Sequence, residues 1–265
     1  MGKLFRMLQV FLRMKQKILD FLIDDLSAAR CTEEVFARVS KIKSGFSWLA
    51  CMNPHSYAEA SRNNIFKNAL KSANWLIPDG IGFILASRVL GASINARVTG
   101  ADIFIGLMNH LDSAGGMSVF FLGGTEETLS RLTSKCTRDF PNIRVAGTYS
   151  PSFSPFYTDV ELDEMIASVN LSGADVLWVG MTAPKQEIWI EQNKSKLNVK
   201  FAGAVGAVFD YYTGQVKRPH SVFQSLGLEW FFRLLQQPRR LWRRSIVSAP
   251  IFLAHVVKAI IAGHS

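Results

Sequence analysis

Short apolar runs alternate with longer stretches of helical period along most of this chain. Residues 1–30 carry apolar positions Leu4, Leu8, Phe11 and Leu12 near one face, which predicts an N-terminal helix. From Phe46 the pattern changes. FSWLACM (46–52) reads as a buried strand, and Pro54 suits the start of a helix running through Ala58, Ala60 and Ile65. SVFFLGG (118–124) is the clearest unit: a strand, a Gly-Gly turn, then Thr125 as N-cap of a helix over Glu126–Cys136, with Glu126 and Glu127 at its positive end. DVLWVGM (175–181) repeats the scheme with Pro184 as a first-turn proline, and VKFAGAVGAVF (199–209) is a further strand. Glu161–Val169 reads as a helix and Tyr149–Tyr157, with Pro151 and Pro155 among serines, as a loop. From Leu226 the chain turns into a helix rich in Trp, Phe and Arg.

Strands alternating with helices predict an α/β fold: a Rossmann-like, mostly parallel sheet flanked by helices. We expect an α/β domain over 1–226 and a basic helical appendage over 227–265. In such sheets ligands gather at the carboxyl ends of strands, so Asn53, Asp79, Gly123, Gly124, Gln186 and Asp210 are the first candidates.

Composition narrows the classes. At 48 % hydrophobic and 19 % charged, the 265 residues can build a core. Cys31, Cys51 and Cys136 form no C-x-x-C pair, which argues against a disulfide framework or a structural zinc and for a reducing, cytoplasmic setting. Arg13, Lys15 and Lys17 interrupt the first apolar stretch before it reads as a secretory signal. The apolar end, Ile246–Ile261, contains His255 and Lys258 and is shorter than the ~20 residues a bilayer span needs.

Charge is concentrated. The net charge is +9. Lys217, Arg218, Arg233, Arg239, Arg240, Arg243 and Arg244 are opposed in their stretch only by Glu229. A patch of this kind needs an anionic partner such as phosphate, nucleic acid or an acidic membrane. Interleaved Trp230, Phe231, Phe232 and Trp242 distinguish it from an ordinary solvated face.

Individual motifs are modest. Asp79-Gly80-x-Gly82 lacks the third glycine of a dinucleotide fingerprint, and Pro78 disfavours the strand-to-helix geometry that fingerprint needs. On the residues alone it reads first as a turn with a capping Asp, and second as a carboxylate presented as a general base. Gly180–Glu187 could hold a phosphate or sugar hydroxyl through exposed N–H groups and Lys185, or be a plain loop before a helix. Gly203–Asp210 offers small residues and one carboxylate. Walker A, H-E-x-x-H and G-x-S-x-G patterns are missing, as is an Asp-x-Asp pair to hold a metal on a nucleotide-sugar.

In register, these fragments resemble one family, the bacterial WecG/TagA/CpsF glycosyltransferases. The matching pieces are Asn53-Pro54; IPDGIGFILASRVLG (77–91); Arg97-x-x-Gly100-x-Asp102; FFLGG (120–124); VGMTAPKQE (179–187); GAVGAVFDYYTGQVKRP (203–219); and GLEWFFRLLQQPRRLWRR (227–244). The resemblance implies an inverting enzyme that moves a hexose or N-acetylhexosamine from a UDP-sugar donor to a polyprenyl-diphosphate-linked sugar acceptor in surface polysaccharide biosynthesis. It implies work at the inner face of the cytoplasmic membrane, without a divalent metal or other cofactor. Asp79 would be the catalytic base and Gln186 would lie near the donor. The appendage would dock over the site and supply Arg233, Arg240 and Arg243 to the departing diphosphate. Cys51, Asn53, Arg97, Asp102, Gly123, Gly124, Lys185 and Asp210 complete the expected substrate contacts. Cys51 stands where many members carry Thr, and the apolar Ser245–Ser265 extends past the usual arginine-rich end.

Two other classes compete: a nucleotide-binding oxidoreductase and a non-enzymatic membrane-binding module. Nucleic acid is not an expected partner, since no recognition motif accompanies the basic patch. The exposed apolar tail would favour self-association.

Overall fold

The computed structural model describes residues 15–41, 45–154, 156–216 and 247–263. Its centre is a six-stranded, wholly parallel sheet. In chain order its strands are β3 (Ser47–Met52), β4 (Trp75–Pro78), β5 (Ser118–Leu122), β6 (Arg144–Tyr149), β7 (Val176–Val179) and β8 (Phe201–Ala204), arranged β4-β3-β8-β7-β5-β6. The strands are nearly continuous apolar runs because both faces are covered. Successive residues point to opposite layers. Trp48, Ala50 and Met52 join one core with Leu177 and Val179, while Leu49, Val176 and Trp178 join the other.

The helices are α1 (Ala28–Lys41), α2 (Pro54–Ala60), α3 (Asn64–Ser72), α4 (Ile81–Val89), α5 (Gly100–Ala114), α6 (Glu126–Asp139), α7 (Asp159–Ser172), α8 (Lys185–Asn193), α9 (Val208–Tyr212) and α10 (Ala249–Ile261). Their starts follow the expected chemistry. Thr125 caps α6 by accepting from the Thr128 N–H at 3.2 Å, and Asn53 caps α2 through the Ser56 N–H at 2.9 Å.

Four expectations are corrected. Residues 15–24, placed in an N-terminal helix over 1–30, form a hairpin of β1 (Lys15–Ile18) and β2 (Phe21–Asp24), turning at Leu19 with φ 52°. Among the described residues helix begins only at Ala28, and residues 1–14 of the expected helix lie outside them. The hairpin is decided by a distant partner. Buried Asp24 accepts from the Leu76 N–H of edge strand β4 at 2.7 Å, and Lys15 lies 3.4 Å from that carboxylate.

The helix expected through Ile65 is two helices, because Asn63 starts α3 by accepting from the Phe66 N–H at 3.0 Å. The strand expected to reach Phe209 ends at Ala204, where Gly206 turns the chain at φ 60° into α9. Pro78 does not prevent a strand-to-helix crossing: it ends β4, and α4 follows after Asp79 and Gly80.

The boundary expected at 226/227 lies outside the described residues. Beyond it, α10 packs against α2. The Phe252 ring stacks on Phe83 at 5.3 Å and meets Tyr57 edge-on at 5.4 Å. Hydrogen bonds join His55 Nδ1 to Ser248 Oγ at 2.8 Å and Tyr57 Oη to His255 Nδ1 at 3.1 Å.

Candidate active site

The carboxyl ends of β3, β4, β5, β7 and β8 lie along one edge of the sheet, and the candidate residues follow those ends directly. After β3 stands Asn53, whose amide oxygen is used to start α2. After β4 stands Asp79, its N–H donating to Met52 O at 2.8 Å. Its side chain is 31 % exposed, and Arg97 Nε approaches its Oδ1 at 3.9 Å. Arg97 is delivered by the segment before α5, which is tied to β4 where the Val98 N–H donates to Pro78 O at 3.0 Å. A carboxylate held partly out of water beside a guanidinium can accept a proton from a bound hydroxyl while staying reachable from outside.

Gly82 serves packing. A Cβ on Gly82 would lie 2.9 Å from Pro54 Cγ, so this glycine lets α4 pack on the start of α2.

Cys51 joins the two halves of the site. Its S–H donates to Ala204 O across a 3.8 Å contact, and a Cβ on Gly100 would sit 3.4 Å from its sulfur. Burial first, then the nearby carboxylates of Asp79, Glu187 and Asp102, pushes this thiol well above its ordinary pKa. Cys51 is therefore a protonated thiol, and three candidate elements (the turn after β4, α5 and α8) bring acids around it. Asp102 has work of its own. Its Oδ2 accepts from the Thr99 N–H at 2.9 Å and from the Thr99 hydroxyl at 2.8 Å in a capping box that starts α5.

On the other side of β8, Gly123 (φ 110°) presses on the next turn. A Cβ there would lie 2.8 Å from the Gly180 carbonyl, and one on Gly180 would strike the Phe209 ring at 2.3 Å. The two turns can touch because Gly123 has no Cβ, and Gly180 in turn makes room for the Phe209 ring. Gly124 belongs to the same turn, and its carbonyl accepts from Ser150 Oγ at 2.8 Å.

The loop after β7 leads through a cis Ala183–Pro184 bond into α8, where Pro184 is the N-cap residue. Lys185 turns to the rim. Its ammonium lies 3.6 Å from the centre of the Tyr157 ring and donates to Ser154 O. Burial lowers its pKa, and Glu161 partly offsets that. Gln186 turns inward. Its Oε1 accepts from the Gly206 N–H at 3.0 Å and its Nε2 donates to Glu187 Oε1 at 2.8 Å. Asp210 sits half-buried on α9, one turn beyond Gly206. Arg233, Arg240 and Arg243 lie outside the described residues. Among the described residues, no three His, Cys, Asp or Glu side chains converge to hold a metal.

The amino-acid sequence that builds this site matches a known family. The profile of the glycosyl transferase WecG/TagA/CpsF family matches residues 16–265. The chain belongs to this family. It is a glycosyltransferase. It is 32 % identical over 212 residues to an N-acetylglucosaminyldiphosphoundecaprenol N-acetyl-beta-D-mannosaminyltransferase of Bacillus spizizenii, covering 80 % of this chain and 79 % of that one. A protein of the same name from Bacillus subtilis is 30 % identical over 210 residues, with 79 % and 78 % covered.

For a member of the WecG/TagA/CpsF family, one residue was passed over in the sequence. Glu187 stands there only as the last residue of the Gly180–Glu187 segment, with no role of its own. Only the structure shows it 1 % exposed and bonded to Gln186.

Proposed function

We propose that this protein transfers a hexose or N-acetylhexosamine, of the N-acetylmannosamine type, from a UDP-sugar to a polyprenyl-diphosphate-linked sugar. The relatives' names support the acceptor and the sugar class. The observation that carries the chemistry is Asp79: a half-buried carboxylate at the carboxyl end of β4, with Arg97 beside it. In an inverting displacement the acceptor hydroxyl attacks the anomeric carbon opposite the leaving UDP. Asp79 takes the hydroxyl proton as the new bond forms, and the bond to the UDP oxygen breaks. Negative charge then grows on the diphosphate. Arg233, Arg240 and Arg243 are the groups proposed to receive it, since guanidinium binds phosphate bidentately where no Asp-x-Asp pair offers a metal. Asn53, Asp79 and Arg97 are the proposed inner wall of the site. Gly123 and Gly124 form its floor, and Lys185 and Asp210 its rim. Asp102 supports the wall by starting α5.

A surface beside this wall supports work at a membrane. Leu253, Val257, Ile260 and Ile261 are exposed on α10, and Leu85 and Val89 on α4, with Arg88 and Lys258 also exposed. The Phe83–Phe252 stack joins the two helices. An apolar face with sparse basic residues suits a peripheral position at the headgroup boundary. Among the described residues no helix is long and apolar enough to cross a membrane.

The test is UDP release from a panel of UDP-sugars, with a short-chain polyprenyl-diphosphate-linked sugar and EDTA present. Acceptor-dependent release with one donor is expected. Asp79→Asn should lower turnover by roughly 10²–10⁴-fold with circular dichroism unchanged. Full activity in that variant would remove Asp79 as the base.

A further inference from the structure

We propose that Gln186 acts on the protein rather than on the sugar: with Glu187 it forms a buried strut that sets the turn after β8, and both are positioning residues for transfer. The proposal rests on the glycosyl-transfer reading above.

The strut is legible from its donors and acceptors. A backbone N–H can only donate, so Gly206 must meet the amide oxygen of Gln186, and it does so at 3.0 Å. That orientation turns Nε2 the other way, onto Glu187 Oε1 at 2.8 Å. Both ends therefore demand the same orientation of one amide. Gln186 is 4 % exposed and Glu187 1 %, which leaves little of either to reach a ligand. A buried acid is costly unless it is bonded, so Glu187 is an expensive way to orient an amide that has no task.

The task is the turn. β8 lies between β3 and β7 at the centre of the sheet. Its end touches residues that neighbour the proposed site on two sides. Ala204 O accepts from the Cys51 thiol, and a Cβ on Gly100 would lie 3.5 Å from Val205 Cα. The Gly206 α-carbon faces Met181 O, 3.7 Å from where its Cβ would be. Gly206 itself adopts φ 60°, and the chain then enters α9, which carries Asp210. Letting this turn move would shift Asp210 on α9 relative to the β3 side of the site, where Cys51 and Gly100 meet it.

The two side chains can be exchanged while the bonding is kept. With Gln186→Glu and Glu187→Gln together, a carboxylate at 186 still accepts from the Gly206 N–H, and the new amide at 187 donates back to it. Gln186→Glu alone sets two carboxyl groups against each other. Glu187→Gln alone keeps an acceptor for Gln186 Nε2. The experiment compares these three full-length variants for kcat and donor KM, melting temperature and hydrogen exchange of the Gly206 amide.

We expect Gln186→Glu to lose on the order of 100-fold in kcat with donor KM little changed. The single change at Glu187 should lose little, and the exchanged pair should regain most of the loss. Gly206 exchange should quicken in Gln186→Glu and slow again in the exchanged pair. An exchanged pair as inactive as Gln186→Glu would show that the amide itself is required, and would overturn the proposal. So would a Gln186→Glu protein that melts earlier yet keeps the wild-type kcat. If the wild type consumes no UDP-sugar, the reading of the reaction falls, and Gly206 exchange still decides whether the strut exists.

Discussion

Asp79, Gln186 and Glu187 show how the same kind of residue takes different work from its surroundings. Asp79 lies at a strand end, partly open and beside Arg97, where a carboxylate can exchange a proton with a ligand. Glu187 carries the same group but is buried and bonded to its chain neighbour, where it can only orient. Asp102 is spent on starting a helix. The glycines are equally individual. Gly123 combines φ 110° with a position 2.8 Å from the Gly180 carbonyl. Gly123→Ala should therefore destabilise the protein by about 1–3 kcal/mol from backbone strain alone. Urea unfolding checks this, and an unchanged midpoint would mean that the two turns can separate freely.

At the scale of elements, α10 is held on α2 by one ring and two hydrogen bonds. Phe252 is 2 % exposed between Phe83 and Tyr57, and the His55–Ser248 and Tyr57–His255 bonds flank it. Phe252→Ala should cost about 3–5 kcal/mol, the usual result of emptying a buried aromatic site. Denaturant titration measures it. Because α2 begins at Asn53 and Pro54 and packs on Gly82, loosening α10 should also reach the wall that carries Asp79. A variant that unfolds as the wild type does would show that α10 is only laid on the surface. The β1–β2 hairpin plays a comparable part beside it: Phe21 meets Tyr57 edge-on at 6.0 Å, and Asp24 takes the Leu76 N–H that edge strand β4 would otherwise expose.

At the scale of the molecule, acid stability and membrane contact follow from where charge and apolar surface lie. Asp139 closes α6 and ties it to α9. Its hydrogen bonds with Lys135 first, then with the Tyr212 hydroxyl, lower its pKa from 3.8 to about 2. A carboxylate whose folded pKa is below its unfolded one adds stability above the unfolded value, and loses it as pH falls through the folded value. Asp139→Asn should weaken the protein at neutral pH and flatten its loss of stability between pH 3.8 and about 2. Urea midpoints on either side of that window test the sign, and an equally steep loss in the variant would refute it. On the opposite side of the molecule, Leu253→Ser with Val257→Ser should reduce binding to phospholipid vesicles. Turnover of a soluble short-chain acceptor should be retained. Undiminished vesicle binding would send the membrane surface elsewhere.

How much of this was legible depends on the range of the forces involved. The strand–turn–helix units at Ser118–Asp139 and Val176–Asn193 stand out in the sequence because apolar runs, turn glycines and caps act within a few residues. The candidate positions Asn53, Asp79, Gly123 and Gln186 follow from the same local grammar, since strand ends are where parallel sheets present loops. The sequence by itself thus determined the α/β class, the edge of the sheet where the candidate residues gather, and the family. Partners far apart in the chain decided the rest. The hairpin at 15–24 forms because Asp24 meets Leu76, and the turn after β8 is tied to α8 because Gly206 meets Gln186. The burial of Glu187 exists only once α8 lies against β8. Solvent exclusion belongs to the packed chain, and no local pattern of residues encodes it.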